Sequence, residues 1–573
     1  MKFSLLFLIG LFSVGSYSQI VYVNKDATGV NNGTSWENAF TSLDFAMKNI
    51  NAGEIWVAEG IYYPETDIMG DIPSDDRHKS FIIKSDISIY GGFNGTETNR
   101  EQRDWSQNIT TMSGELNDPN SLLDNSFHVI QSASQTNDKT ILDGLIIRDG
   151  YSTINEDGGG GMYVYGFFIV RNCIFENNYA QGGGGAIWST YSDPIIEGNI
   201  FRNNKAFEGG AVVLRGSDAL VKNNVFYNNA CEEIGGSSST YMAGGALQVE
   251  SYSSPIISDN IFQGNHAGVQ GGAVNLISNF SVVFQNNILL ENSSEDGGAL
   301  YIDGGGKYLF NNIFAKNTAS NDGGAIFLDY VNQIEIINNT IVDNTAGHYA
   351  GGIMTEGAGI NMVNTILYNN QSADNYQMIF YFQIGGFNSY IRFSDIEGGI
   401  EGIGRFGPNE RLLYENNFDL LPEFIDDNNN DYRLESYSQL INSGTFSNEF
   451  IQTPWIGIQG EEIHFPVVDV EGKPRILDII DLGAYEYSIL NTSNFYKEEL
   501  LVYPNPSKGV FHIKNGGSFY QVIVYDILGN QITDLQLGHD HNNLDLSGFS
   551  AGIYIMKFIS PLESFSKKII LRP

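Results

Sequence analysis

Gly-Gly-Ala or Gly-Gly-Ile recurs seven times at a spacing of about 26 residues, and nothing else in the 573-residue chain constrains its fold so tightly. The copies end at Ala186, Ala211, Ala246, Ala273, Ala299, Ala325 and Ile353. A second element recurs in the same phase: Phe175-x-x-Asn178, Phe201-x-x-Asn204, Phe226-x-x-Asn229, Phe262-x-x-Asn265 and Phe314-x-x-Asn317. Degenerate copies end at Asn292, Asn344 and Asn370. A fixed period in this range means stacked repeats, each burying its apolar side on the next.

Each repeat must therefore close a full turn of chain in about 26 residues. Its apolar stretches are short, rich in Ile, Val and Phe, and separated by Gly and Asn, which predicts strands and turns with no helix in the repeat. After each Gly-Gly-Ala, two columns alternate with period 2. The first holds Ile187, Val212, Leu247, Val274, Leu300, Ile326 and Met354; the second holds Ser189, Leu214, Val249, Leu276, Ile302, Leu328 and Glu356. Such alternation turns both columns inward. The expected fold is all-β: a right-handed parallel β-helix whose coils stack in register.

Asparagine completes the pattern. Asn178, Asn204, Asn229, Asn265, Asn292, Asn317, Asn344 and Asn370 form one column, and Asn199, Asn224, Asn260, Asn287, Asn312 and Asn339 a second. Coils ~4.8 Å apart let stacked carboxamides bond to one another or to turn backbone, satisfying polar groups where the sheets bend. These residues read as structural ladders, and the glycines as positions of positive φ.

The paired motifs resemble the repeats of the chlamydial polymorphic outer-membrane proteins, over about Gly158 to Asn370. That resemblance implies a surface β-helix and an adhesive role; those relatives also carry a membrane barrel, for which this sequence shows no counterpart. Further upstream, Trp36, Phe40, Leu43, Met47 and Ile50 lie on one face of an amphipathic segment, Ser35 to Ile50, that runs into Gly53-Glu54-Ile55-Trp56-Val57. This is similar to the opening of pectate-lyase-like β-helices, where a short helix plugs the open end of the coil and covers its strand edges. Less regular coils follow over 64–150, with an inserted loop around Asn94 to Asp124.

Met1-Lys2 and the apolar run Phe3 to Val14 read as a secretory signal peptide with Gln19 as the mature start. No later stretch is long and apolar enough to span a bilayer, so no transmembrane segment is expected in the mature chain. Residues 401–490 change texture, with Asp469-Val470-Glu471-Gly472-Lys473-Pro474-Arg475 and Asp481-Leu482-Gly483-Ala484-Tyr485-Glu486. They resemble a module that follows many secreted bacterial β-helices. Asp426 to Asp431 lacks the Gly and Glu of a calcium loop and reads as a solvated turn.

Beyond a linker at 491–499, Tyr503-Pro504-Asn505-Pro506-x-x-Gly509, Tyr525-Asp526-Ile527-Leu528-Gly529, Leu544-Asp545-Leu546-Ser547, Ala551-Gly552-Ile553-Tyr554 and Lys567-Lys568-Ile569-Ile570 follow. They are similar to the C-terminal sorting domain of the type IX secretion system of Bacteroidota. The resemblance implies a small β-sandwich, a partnership with that secretion machinery, and export to the cell surface or medium. The organisation read from sequence is thus 1–18 signal peptide, 19–400 β-helix with clear repeats over 158–370, 401–490 module, 491–499 linker and 500–573 sorting domain.

Asp and Glu number 67 against 30 Lys and Arg, a net charge of −37. Such a surface excludes nucleic acid as a partner. The two cysteines, Cys173 and Cys231, fall two coils apart, roughly 10 Å at coil spacing and beyond disulfide reach. An enzyme acting on uronates needs cations to grip carboxylates and a base to take a proton. No Lys or Arg lies between Lys222 and Lys307 or between Lys316 and Arg392, and polygalacturonase-like signatures are absent. His266 and His348 stand alone as turn residues.

One constellation remains. The outward columns place Tyr301 above Phe327 and Asp303 above Asp329, with Asp296 and Asp322 stacked in the preceding turns. Aromatic and carboxylate pairs ~4.8 Å apart suit a sugar platform, a calcium site or a retaining-glycosidase acid/nucleophile pair. No cofactor motif is present, and calcium is the ion these carboxylates suit. The function expected is a non-catalytic, adhesin-like or glycan-binding surface protein that contacts an extracellular glycan or a host or neighbouring cell. A carbohydrate-active enzyme (lyase or hydrolase) and a structural surface or biofilm component are the alternatives.

Overall fold

Four short strands make each central coil, as in Ile195–Glu197, Ile200–Arg202, Lys205–Glu208 and Val212–Arg215. The computed structural model describes residues 20–487 except 133, 138–139, 154–155, 157, 233–241, 332, 382–387, 408–410, 446–465 and 476–479. It also describes 501–572 except 506, 515–520, 527–530, 538–540 and 560–563. The signal peptide and the 491–499 linker lie outside the described residues. Two compact units result, one ending at Tyr487 and one beginning at Ser488.

In the first unit, equivalent strands pair in parallel from coil to coil. They form three long sheets, here faces 1, 2 and 3, of 14, 12 and 12 strands, and a short fourth side of 8 strands between faces 2 and 3. This is the expected right-handed parallel β-helix. The inward columns are fully buried, Ile187, Val212, Leu247, Val274, Leu300 and Ile326 among them. On face 2 Phe175, Phe201, Phe226 and Phe262 stack ring on ring at 5.1, 4.7 and 4.7 Å. Leu289 interrupts that column, and Phe284 from face 1 fills the gap, 6.5 Å from Phe262 and 6.4 Å from Phe314.

The corners on either side of face 2 explain the Asn-Asn doublets. In Asn223-Asn224 and Asn228-Asn229 the first residue takes a left-handed conformation, φ 57° and 52°, turning the chain. Asparagine tolerates this at low cost. The second points inward. Asn204 Nδ2 donates to the Phe175 carbonyl of the coil before (2.9 Å) and to Asn229 Oδ1 of the coil after (3.0 Å). Its Oδ1 accepts from Asn178 Nδ2 (3.1 Å) and Asn178 N (3.2 Å), so the carboxamide is fully used. The same pattern runs unbroken from Asn178 to Asn370, and from Asn199 to Asn339 in the other corner. That second ladder continues through Thr365, Ser394 and Asn417, which the asparagine pattern alone did not reveal. Asn265→Ala should cost about 1–3 kcal/mol, because buried donors and acceptors lose their partners. Thermal unfolding at the wild-type temperature would refute the ladder's energetic role.

Several expectations need correction. Ile353 pairs with Ile326, Met354 with Phe327, Thr355 with Leu328 and Glu356 with Asp329. The Gly-Gly-Ile copy is therefore one residue out of phase with Gly-Gly-Ala: Gly352 holds the alanine place, Ile353 and Thr355 face inward, and Met354 and Glu356 face outward. The amphipathic segment forms helix only over Leu43–Asn49, capped by Ser42 Oγ, which accepts from Phe45 N at 3.0 Å. The preceding backbone pairs instead with the first strand, Asn24 N to Phe40 O and Phe40 N to Tyr22 O, both 2.9 Å. Leu43, Ala46, Met47 and Ile50 still enter the main core. The stretch Asn94 to Asp124 is not one insertion, because Thr110–Ser113 pairs with Gly60–Tyr62 and Ile146–Arg148 as a regular face-2 strand.

Solenoid strands also run past residue 400: Ile403–Phe406 extends face 3 and Arg411–Glu415 face 1. The chain then turns back along the outside of face 2. Tyr432, Leu434, Leu440, Leu482 and Ala484 cover Ile313, Ala315, Val342 and Ile366 there. The turn at 426–431 carries the 3-10 segment Asp427–Asn429, and it takes the Lys316 ammonium on Asp427 O (2.9 Å) and Asn430 Oδ1 (2.7 Å). In the second unit, antiparallel sheets of three and four strands bury Val502, Phe511, Val522, Val524, Leu546, Met556, Phe558 and Ile569 between them, a small β-sandwich.

Candidate functional site

The acidic and aromatic pairs of adjacent coils lie as the register demands, Tyr301 beside Phe327 and Asp303 beside Asp329. The rings stack at 5.2 Å, but they are not a surface platform, since Tyr301 is 5% and Phe327 6% exposed. Both point away from the main core into a satellite cluster with Ala350, Met354 and Ile379, beneath Tyr349 and Tyr376. The Gly-Gly turns cover this row. A Cβ on Gly297 would come 3.2 Å from that of Phe327, and one on Gly323 3.2 Å from that of Met354, both at positive φ. Tyr301 Oη donates to Asp329 Oδ2 at 2.7 Å, so the hydroxyl holds the carboxylate row instead of facing solvent.

Asp303, Asp329 and Glu356 stand in successive coils of face 3. Burial, then repulsion from Asp329, raises the Asp303 carboxyl above its ordinary range, and burial plus the same neighbour raises Glu356. Asp296 Oδ1 accepts from Asn321 Nδ2 (2.9 Å) and Asp322 N (3.2 Å). His348 is not isolated: its Nδ1 lies 3.3 Å from Asp322 Oδ1. His266 is exposed in the short strand His266–Ala267, its Nδ1 3.0 Å from Ser293 Oγ. Among the described residues no three His, Cys, Asp or Glu side chains converge to hold a metal ion. Both cysteines are free and buried, and burial pushes the Cys173 thiol up to about 12.

Exposed aromatics do form a row, at the corner between faces 3 and 1, where the outward-column reading did not look. Tyr191, Tyr252, Phe280 and Tyr330 are 81%, 67%, 64% and 53% exposed. Tyr191, Tyr252 and Tyr330 hold left-handed φ of 49°, 62° and 47°. Two of the tyrosine rings extend over the glycine of the next coil: Tyr191 lies 2.9 Å from where a Gly216 Cβ would stand and Tyr330 3.0 Å from that of Gly357, whereas Tyr252 is followed by Ser278. Tyr252 and Phe280 meet at 5.0 Å. The signal in the sequence is a bulky ring where a turn calls for Gly or Asn.

A cleft of about 600 Å³ opens at the corner between faces 1 and 2. Arg100, Arg103 and Trp105 come from the loop between the strands Ile87–Phe93 and Thr110–Ser113; Asp143, Arg171, Asn172, Glu197 and Asn223 come from successive coils. Asp143 is buried and takes Arg103 Nη2 (2.7 Å), Arg171 Nε (2.8 Å) and Asn172 Nδ2 (2.9 Å). Burial opposes its charge, but the Arg103 and Asn172 bonds outweigh that and hold the carboxyl below the ordinary range. It cannot serve as a proton donor near neutral pH.

Residues 501–572 match the secretion system C-terminal sorting domain, residues 150–318 the right-handed beta helix region, and residues 313–329 the Chlamydia polymorphic membrane protein repeat. Among solved structures the chain is similar to pectate lyase Pel9A, with 15% identity, 83% of this chain and 98% of that one covered, and a TM-score of 0.38. It is also similar to XylC in complex with xylose, with 11% identity, 82% and 98% covered, and a TM-score of 0.42. No curated protein matches the sequence. The chain is a secreted right-handed parallel β-helix protein whose sorting domain directs it through type IX export to the cell surface or the extracellular space. Among the described residues no helix is long and apolar enough to cross a membrane.

Proposed function

We propose that this protein is a non-catalytic, adhesin-like β-helix that binds extracellular glycan along the aromatic corner between faces 3 and 1. The observation that carries the reading is the left-handed conformation of Tyr191, Tyr252 and Tyr330, each with its ring in solvent. A bulky residue at positive φ costs on the order of 1–2 kcal/mol, which Gly or Asn would avoid. Within the fold the rings pack only over Gly216 and Gly357 or beside Phe280, and a stacked sugar would add contacts that offset the strain. Tyr191 and Tyr252 are two coils apart, ~9.6 Å, a spacing comparable to a disaccharide along a chain. Phe280 extends the surface beside Tyr252, and the Asp303–Asp329–Glu356 row runs alongside as hydroxyl acceptors.

The triple variant Tyr191→Asn, Tyr252→Asn, Tyr330→Asn should melt at or above the wild-type temperature while losing affinity for glycans captured on an array. The loss should be on the order of tenfold or more, from the removed ring contacts. Wild-type affinity of this variant for every glycan the wild type captures, or an array without a single ligand, would end the proposal. Reducing-end and unsaturated-uronate release across a polysaccharide panel should stay silent with and without Ca²⁺, and product formation would favour the enzyme alternative.

A further inference from the structure

The cleft at the corner between faces 1 and 2 lies away from the aromatic row and differs from it chemically. Asp143, Arg171 and Glu197 pair in register on successive coils, so acceptor, donor and acceptor alternate ~4.8 Å apart. Asn172 and Asn223 add carboxamides from the corner, and Trp105, 42% exposed, forms the wall with Arg103 packed 4.8 Å from its ring. Three arginines, Arg100, Arg103 and Arg171, face three carboxylates, Glu101, Asp143 and Glu197, so the lining is electrically balanced in a chain of net charge −37.

That balance selects the ligand. A polyanion meets Glu101, Glu197 and the field of the whole surface; a cation meets the guanidinium groups; an apolar ligand strands buried polar groups. Planar guanidinium, carboxylate and carboxamide groups present paired donors or acceptors, matching vicinal hydroxyls. The geometry points to a binding site for a short segment of neutral, hydroxyl-rich glycan, stacked on Trp105 and bonded to Arg171, Glu197 and Asn223. From Asp143 to Asn223 is three coil rises, ~14 Å, room for a few sugar rings. The inference shares the glycan chemistry of the proposed function but rests on a different set of residues.

The full-length protein should be titrated calorimetrically with neutral gluco-, xylo- and manno-oligosaccharides and with oligogalacturonates, at low and high salt. At least one neutral oligosaccharide should bind with an affinity indifferent to salt. Trp105→Ala and Arg171→Met should each weaken it by tenfold or more, and Trp105→Phe should retain most of it. Titrating the ridge variant Tyr191→Asn, Tyr252→Asn, Tyr330→Asn with and without Trp105→Ala separates the two sites. Neutral-glycan binding that persists in the ridge variant and falls on adding Trp105→Ala belongs to the cleft, and neutral-glycan binding abolished by the ridge variant alone overturns the assignment. Because Arg171 also holds Asp143, a lowered melting temperature in Arg171→Met passes the decision to the solvent-exposed Trp105. Unaltered affinity in Trp105→Ala, binding confined to oligogalacturonates and weakened by salt, or no neutral ligand at millimolar concentration would each overturn the assignment.

Discussion

Replacing Arg475 by methionine is expected to destabilise the solenoid unit by about 3–5 kcal/mol, the cost of leaving a buried carboxylate without its cation. The guanidinium has no access to solvent and the Glu486 side chain almost none. Nη1 donates to Glu486 Oε2 at 3.1 Å, and Nη2 donates to Asn311 Oδ1 at 3.1 Å and to Gly483 O at 2.9 Å. Asn311 is a corner residue of the solenoid, and its Nδ2 returns a bond to Val468 O at 2.8 Å. One side chain therefore ties the 469–475 motif, the 481–486 motif and the coil stack together. Asp469 supports the arrangement, its Oδ1 accepting from Glu471 N and Lys473 N and its Oδ2 from Glu486 N. Arg475→Lys should rescue little, because a single ammonium cannot reproduce the planar fork. Arg475→Met with Glu486→Leu should recover most of the loss, since removing both charges avoids the uncompensated one. Thermal denaturation and limited proteolysis of the 420–487 segment measure the effect. A single variant within about 1 kcal/mol of wild type would show that the clasp is not energetically coupled to the fold.

Lys307→Met is expected to act in the opposite sense and raise stability. Lys307 stands at an inward position of face 1 between Val282 and Ile334, both fully buried. Its Nζ is buried without a hydrogen-bond partner, near Gly305, where any Cβ would collide with the Asn279 carbonyl. Burial lowers its pKa from 10.5 to about 7, with Asp303 opposing only in part. The unfolded chain therefore holds the proton more tightly than the fold does. The Lys307 contribution is least unfavourable above pH ~10.5, becomes more unfavourable as the pH drops toward ~7, and levels off below that. At neutral pH the penalty is on the order of 4 kcal/mol. Methionine has similar length and no charge to bury, so the variant should gain most at pH 6–7 and little at pH 10–11, read from paired melting curves. An equal shift at both ends of that range would place the amine in solvent and sink the argument.

The coil repeat was legible because stacking imposes one residue type on each column, whatever the surrounding sequence. Phe262, Asn265 and Ala273 each mark a column, and their spacing fixes the register of Leu300, Ile302 and Asp303. The register failed only at Ile353, where Gly352 replaces the expected alanine and a motif match misled by one residue. The burial of Tyr301 and Phe327 was not legible. Alternation assigns a side chain to the outer side of a strand, but it cannot say whether a neighbouring turn folds over it, as the Gly297 and Gly323 turns do. The exposed ring of Tyr330 was missed for a related reason: it sits in a corner, where period 2 no longer applies.

The cleft and the clasp share a different cause. Arg103 reaches Asp143 from a loop outside the coil repeat, and Arg475 meets Asn311, across separations in sequence that no local pattern spans. The sequence by itself determined the solenoid, its ladders and the sorting domain, since these arise from short-range periodicity repeated many times or from contiguous motifs. Only the tertiary structure decided which outward residues reach solvent, where the arginines gather in an otherwise acidic chain, and how Tyr432, Leu434, Leu440, Leu482 and Ala484 come to lie against face 2. Those depend on how insertions and the returning chain pack over the coils, a long-range outcome that each segment's own pattern does not encode.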